Sequence, residues 1–154
     1  MRLRLILSSV LLVLLTGLVT APTVFASPSP VGMWWTQDRR GVIAIAPCLE
    51  GLCGRIVGQD IITDSAGRPG VDTKGAPTCG LIILRGTEPA DSDRWQGIIT
   101  DPETGSDWHV LFWIGPDGNL RLRGYIFFQW LGETQLWPRF VGTVSPDCAI
   151  HPPP

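Results

Sequence analysis

Three features of this chain predict an all-β fold, a small eight-stranded antiparallel up-and-down barrel. Apolar and polar residues alternate over short runs, compact Gly- and Pro-containing turns separate those runs, and no stretch holds a sustained helical period. Eight strands of this length close most readily into a barrel, which leaves no open sheet edge; an open sandwich of the same strands is the alternative.

The runs at 31–36, 41–46, 52–58 and 80–85 supply the first four strands. Arg94 to Thr100 is the fifth, and Asp101-Pro102-Glu103-Thr104-Gly105 turns it into the sixth. That sixth run, 106–114, has the clearest pattern: Trp108, Val110, Phe112 and Ile114 share one face, and Asp107 and His109 the other. Gly115-Pro116-Asp117-Gly118 is a turn in which Pro presets φ and Gly takes a positive one. The seventh run, 119–126, opposes Leu120, Leu122, Gly124 and Ile126 to Arg121, Arg123 and Tyr125, and Leu131-Gly132-Glu133 leads to the eighth at 134–142. Pro138 removes a ladder donor there, so that strand is expected to kink or lie unpaired on one side. Gly54 and Gly97 inside strands mark bulges or bends.

Domain organisation follows from the two ends. Arg2 and Arg4, the apolar run 5–19 and the small residues before Ser27 form a leader, so residues 1–26 read as a cleaved signal peptide. A membrane anchor is the other reading of that run, but Pro22, Thr20 and Thr23 shorten it below the ~20 apolar residues a spanning helix needs. Residues 27–148 then form one barrel domain, and 149–154 a disordered Pro-rich tail. The chain is expected in the periplasm or secreted, with no stable membrane insertion once the leader is removed. Loss of the leader moves the formal charge from −2 to −4. A chain of that sign lacks the electrostatic footprint for nucleic acid or anionic lipid. Arg121 and Arg123 read as a solvated strand face, and the polar stretch 59–78 as a mobile connector or a lid.

Four cysteines in an exported chain read as disulfides. Cys48 and Cys53 flank a hairpin turn and are expected to pair, which leaves Cys79 for Cys148.

Few residues invite chemistry. Ser106, Asp107 and His109 look like a triad, but alternation puts Ser106 opposite His109. Asp101, Glu103 and Asp107 crowd one hairpin and could serve as paired acids for glycoside hydrolysis, although Asp-Pro-x-x-Gly is a turn sequence in its own right. Only two His are present, so no metal site is expected, and no cofactor.

The seven Trp carry the functional question. Inward, they would fill a barrel of this size; at its mouth, Trp95, Trp108 and Phe112 would line an apolar pocket. Arg55 lies on the face opposite Leu52 and Ile56 and reads as outward, with anchoring of a ligand carboxylate as its alternative role. Outward indoles such as Trp113 and Trp130 would make a surface patch for a partner.

Short motifs run in one order across almost the whole exported part. They are Gly32-Met33-Trp34; Cys48 with Leu52-Cys53-Gly54-Arg55-Ile56-Val57; Gly80-Leu81; Trp95-x-Gly97 leading through Ile99 to Asp101-Pro102-Glu103-x-Gly105; Leu120-x-Leu122-x-Gly124; and Gln135-x-Trp137-x-Arg139. Gly-x-Trp on a first strand with Arg on a last one resembles the calycins, the lipocalin-like barrels, and the full order resembles the bacterial exported family of domain of unknown function 2147. The resemblance implies export, a lipocalin-like barrel and a barrel-closing set of Gly32, Trp34 and Arg139; it implies no activity. Gly75 after Lys74, Pro138 and Trp108 depart from the family's usual residues.

Together these features lead us to expect a monomeric, non-enzymatic barrel that binds a small apolar or amphipathic molecule in its mouth. The rival reading is a structural or interaction module of the cell envelope with a filled barrel. A hydrolase built on the hairpin from Asp101 to His109 is a third.

Overall fold

The computed structural model describes residues 28–60, 70–91 and 93–153. The expected signal peptide lies outside the described residues, as does the middle of the 59–78 connector. Eight strands form one sheet in chain order: β1 (Gly32–Trp35), β2 (Gly41–Cys48), β3 (Gly51–Gln59), β4 (Ile82–Pro89), β5 (Arg94–Thr100), β6 (Asp107–Ile114), β7 (Leu120–Tyr125) and β8 (Glu133–Trp137). Each is antiparallel to its neighbours.

The meander closes on itself just after β8. The β7–β8 ladder ends at Leu120 opposite Trp137, and the next residue, Pro138, has no N–H to continue it. Its carbonyl instead accepts the N–H of Trp35 at 2.8 Å, and Phe140 N–H donates to Met33 at 2.9 Å. Pro138 thus passes the chain from one neighbour to the other. The side chains complete the seam: the Arg139 guanidinium sits 4.2 Å from the Trp34 ring centroid, and Trp34 Nε1 donates to the Pro30 carbonyl at 2.8 Å. Gly32 makes room for it, because a Cβ there would lie 2.7 Å from Arg139 Nη1, and its φ of 143° is strained for any other residue.

Inside, one continuous cluster runs from Trp34 and Ile43 through Ile45, Leu84, Val110 and Phe112 to Leu120, Leu122 and Trp137. Two glycines shape the wall around it. A Cβ on Gly54 would lie 2.8 Å from Leu84 Cβ, beside the irregularity in the β3–β4 pairing. At Gly97 it would lie 2.9 Å from the Arg85 carbonyl, opposite the β4 bulge between Arg85 and Glu88. That bulge carries β4 beyond the expected Arg85 to Pro89. It also turns Thr87 onto β3, where its hydroxyl donates to the Leu52 carbonyl at 2.6 Å and accepts the Leu52 N–H, pairing backbone groups the bulge would otherwise strand.

The C-terminal segment departs from expectation. In place of a disordered tail, β10 (Ile150–His151) pairs with β9 (Thr143–Val144). Gln59 N–H donates to the Cys148 carbonyl, and Ala149 bridges Gln59. The segment covers the outer face of β2 and β3: a Cβ on Gly58 would fall within 3.0 Å of Ile150, Val42 and Val144. Val42 is fully buried for this reason, although it points away from the barrel interior. Apolar residues at 144 and 150 are too few to show a period, which is why alternation missed this strand pair.

Both disulfides are present, Cys48–Cys53 and Cys79–Cys148, each with a Cα–Cα distance of 5.8 Å. The first is diagonal rather than directly facing, since Cys48 opposes Gly51 and Cys53 opposes Ala46. The second ties the C-terminal segment to the end of the long connector.

Replacing both Cys79 and Cys148 by Ser should destabilise the fold by about 4 kcal/mol, against about 2 kcal/mol for the Cys48 and Cys53 pair, because the closed loops differ in length. Urea unfolding of the two double variants measures the difference. Arg139→Ala should cost about 1–3 kcal/mol through the lost guanidinium–indole contact and unpaired groups, while Arg40→Ala on the surface should stay within about 0.5 kcal/mol. Equal costs at the two positions would refute the seam's role in closure.

Candidate functional site

Register places the connections 36–40, 101–106 and 126–132 at one end of the barrel, together with the strand ends at Gln59 and Ile82. At this end Trp108 opposes Ile99, and His109 opposes Tyr125, so the β7–β8 connection leaves the sheet next to Trp108. Trp108 shares the inward phase of Val110 and Phe112, yet it is 38% exposed where those two are at 0%. It is the indole at which the core meets solvent.

Of the four residues expected to line a ligand site, Trp95 and Phe112 are brought together, while Trp108 and Arg55 lie apart from them. Phe112 is sealed inside, with Trp95 stacked on it at 6.5 Å between ring centroids. Trp108 stands four residues along β6 from Phe112, about 13 Å away by strand rise. Arg55 faces outward and donates to the Gly80 carbonyl. Surface depressions lie elsewhere. One of about 490 Å³ is lined by Trp35, Arg39, Gln59, Asp60 and residues 149–152. Another of about 250 Å³ sits on the outer sheet face between Glu88, Gln96, His109 and Tyr125. Neither opens into the core cluster.

The hairpin residues that suggested hydrolysis are each engaged in local structure. Asp101 Oδ1 accepts the N–H of Glu103 at 2.8 Å and its Oδ2 accepts the Thr104 hydroxyl at 2.9 Å, the bonds of an Asx turn. Asp107 is hydrogen-bonded by Thr100 and pairs with Arg85 at 2.9 Å; the Thr100 bond, followed by Arg85, holds its carboxyl below the usual range. His109 stacks on Tyr125 at 5.5 Å.

The arginines expected as a solvated face have partners as well. Arg121 pairs with Asp117 at 2.9 Å and Arg123 is bonded to the chain at 129–134. Trp113 is not a free outward indole, because Arg94 lies over it at 5.1 Å.

The segment 126–131 is what sequence reading missed. Ile126, Phe127, Phe128, Trp130 and Leu131 are 53–83% exposed. Trp130 alone drew attention beforehand, as a single outward indole. The strand pattern ends at Ile126 and assigns nothing to Phe127 and Phe128, and the chain's departure from the sheet after Tyr125 exposes all three. One turn of 3-10 helix, Gln129–Leu131, forms its tip, with Phe128 and Trp130 stacked at 5.8 Å.

A closed eight-stranded meander with Trp on its first strand capped by Arg after its last defines a lipocalin-like barrel. A solved structure described as "Protein HP1028 from the human pathogen Helicobacter pylori belongs to the lipocalin family" matches with a TM-score of 0.59 at 13% identity, covering 75% of this chain and 85% of that one. Residues 32–139, from Gly32 to Arg139, match the family described as "Uncharacterized protein conserved in bacteria (DUF2147)", and the chain belongs to that family. No curated protein matches it.

At the opposite end, the 115–119 turn gives a test of local electrostatics. The Asn119 amide, followed by Arg121, lowers the Asp117 carboxyl from 3.8 to about 2. Since its pKa is depressed on folding, the stabilisation it provides is complete above pH 3.8 and is lost as pH falls through about 2. Carboxyl NMR should put its midpoint near 2, and Asn119→Ala should move it back toward 3.8; an unshifted wild-type midpoint contradicts the assignment.

Proposed function

We propose that this protein is an exported, non-enzymatic barrel of the bacterial cell envelope that acts through its end loops as an interaction module and carries no ligand inside. The carrying observation is the interior itself. Trp34, Phe112, Leu120 and Val110 are at 0% exposure, and the cluster they belong to spans the barrel from wall to wall. An eight-stranded barrel has room for its side chains or for one small ligand, and here side chains take the space. Two disulfides suit an oxidising compartment, periplasmic or secreted, and support export.

A second reading keeps the small apolar molecule but moves it to the rim. It is favoured by the exposed Trp108, which would offer one face to such a molecule at the open end.

Saturable one-to-one binding of fatty acids or quinones, with NMR contacts to Phe112 or Val110, would overturn the filled-barrel reading. The expected result is no such contact in the wild type. Phe112→Ala should cost about 3–5 kcal/mol by leaving a cavity, and the cavity should then admit a small apolar probe. Binding abolished by Trp108→Ala, with contacts confined to residues 99 and 108, would support the rim reading instead.

A further inference from the structure

We infer that the 126–131 tip is a docking element for an uncharged or zwitterionic lipid surface, into which Phe127, Trp130 and their apolar neighbours insert. The inference rests on the reading of the barrel as an interaction module and names the partner of one of its loops.

Three observations support it. First, the tip is apolar and uncharged: between Arg123 and Glu133 no residue carries a charge, and Gln129 is the single polar side chain among residues 126–131. Second, the backbone of its last turn is partly paired from within. Leu131 N–H donates to Phe128 at 3.0 Å and Gly132 N–H to Gln129 at 3.1 Å. Arg123 donates to the carbonyls of Gln129 at 2.6 Å and Trp130 at 3.3 Å. Each such pairing lowers the cost of carrying that peptide group out of water.

Third, the dimensions favour lipid over protein. A stable protein interface takes about 20–30 residues a side. The tip offers one turn, with polar sheet on either side of it. A bilayer needs no matching relief, and Trp and Phe are side chains that favour the level of its headgroups. With a net charge of −2, or −4 after loss of residues 1–26, attachment must be apolar and not Coulombic. Gly132 fixes how the tip leaves the sheet, since a Cβ there would lie 2.4 Å from the Gly124 carbonyl.

The test uses the disulfide-bonded chain in the form its host accumulates, with phosphatidylcholine vesicles as the probe. Co-sedimentation should be saturable and nearly independent of salt. Phe127→Ser with Trp130→Ser should weaken it by about a hundredfold or more, because each of the two side chains removed forfeits burial worth about tenfold or more. Both residues are exposed, so the melting temperature should not change. Comparison with Trp130→Phe isolates the emission of Trp130, which brominated acyl chains should quench. No sedimentation with vesicles, undiminished sedimentation of the double variant, or unquenched Trp130 would each overturn the inference. So would self-association through the tip with no vesicle binding. None of these touches the filled-barrel reading, which falls only if a ligand contacts Phe112 or Val110 inside.

Discussion

The placement of the Arg139 guanidinium on the Trp34 indole is the contact on which the rest of the barrel depends. An eight-stranded meander has two free edges, and this fold joins them along a short seam of a few backbone bonds between residues 33–35 and 138–140. Such a seam is weak by ladder count alone. The buried indole, the cation over its face and the carbonyl of Pro30 holding Nε1 reinforce it. Gly32 is required because the guanidinium occupies the space of its absent side chain. Without closure the interior cluster would be exposed on one side, and the two sheet edges would be open to pairing with other chains.

Closure imposes curvature, and curvature creates the irregularities elsewhere. The β4 bulge and the two inward glycines at 54 and 97 bend the wall where flat strands would collide. The bulge leaves the Leu52 backbone without a backbone partner on β4, and Thr87 supplies one from its side chain. On the outer face of β2 and β3, the C-terminal strand pair and the Cys79–Cys148 disulfide add a small second core. Val42 is buried on that outer side while Ile43 and Ile45 are buried inside, so β2 reads as a continuous apolar run.

The filled interior and the exposed tip form one pattern. Seven Trp in so short a chain are distributed among three tasks: Trp34, Trp95 and Trp137 pack the core, Trp35 and Trp113 lie under arginines on the outer wall, and Trp108 and Trp130 meet solvent at one end. Apolar surface that a carrier would keep inside is here placed on an exposed loop at one end of the barrel. That distribution suits a protein that meets its partner at the rim.

Much of the fold was legible without coordinates. Alternation along β5, β6 and β7 and the turns at 101–105 and 115–118 determined strands and hairpins, because each depends on neighbours close in sequence. Gly32, Trp34 and Arg139 were legible only through resemblance, since their contact joins the two ends of the barrel domain. The cysteine pairing followed once one hairpin was assumed. Whether Trp95, Phe112 and Trp108 form one pocket depended on strand tilt and side-chain packing, which no local pattern encodes. The exposure of 126–131 was equally hidden, because an apolar run reads as buried until the chain is seen to leave the sheet. From the sequence by itself came the strands of the barrel and the turns between them, set by local sterics. Only the tertiary structure decided which apolar residues face one another and which face water, because burial is a property of all eight strands at once.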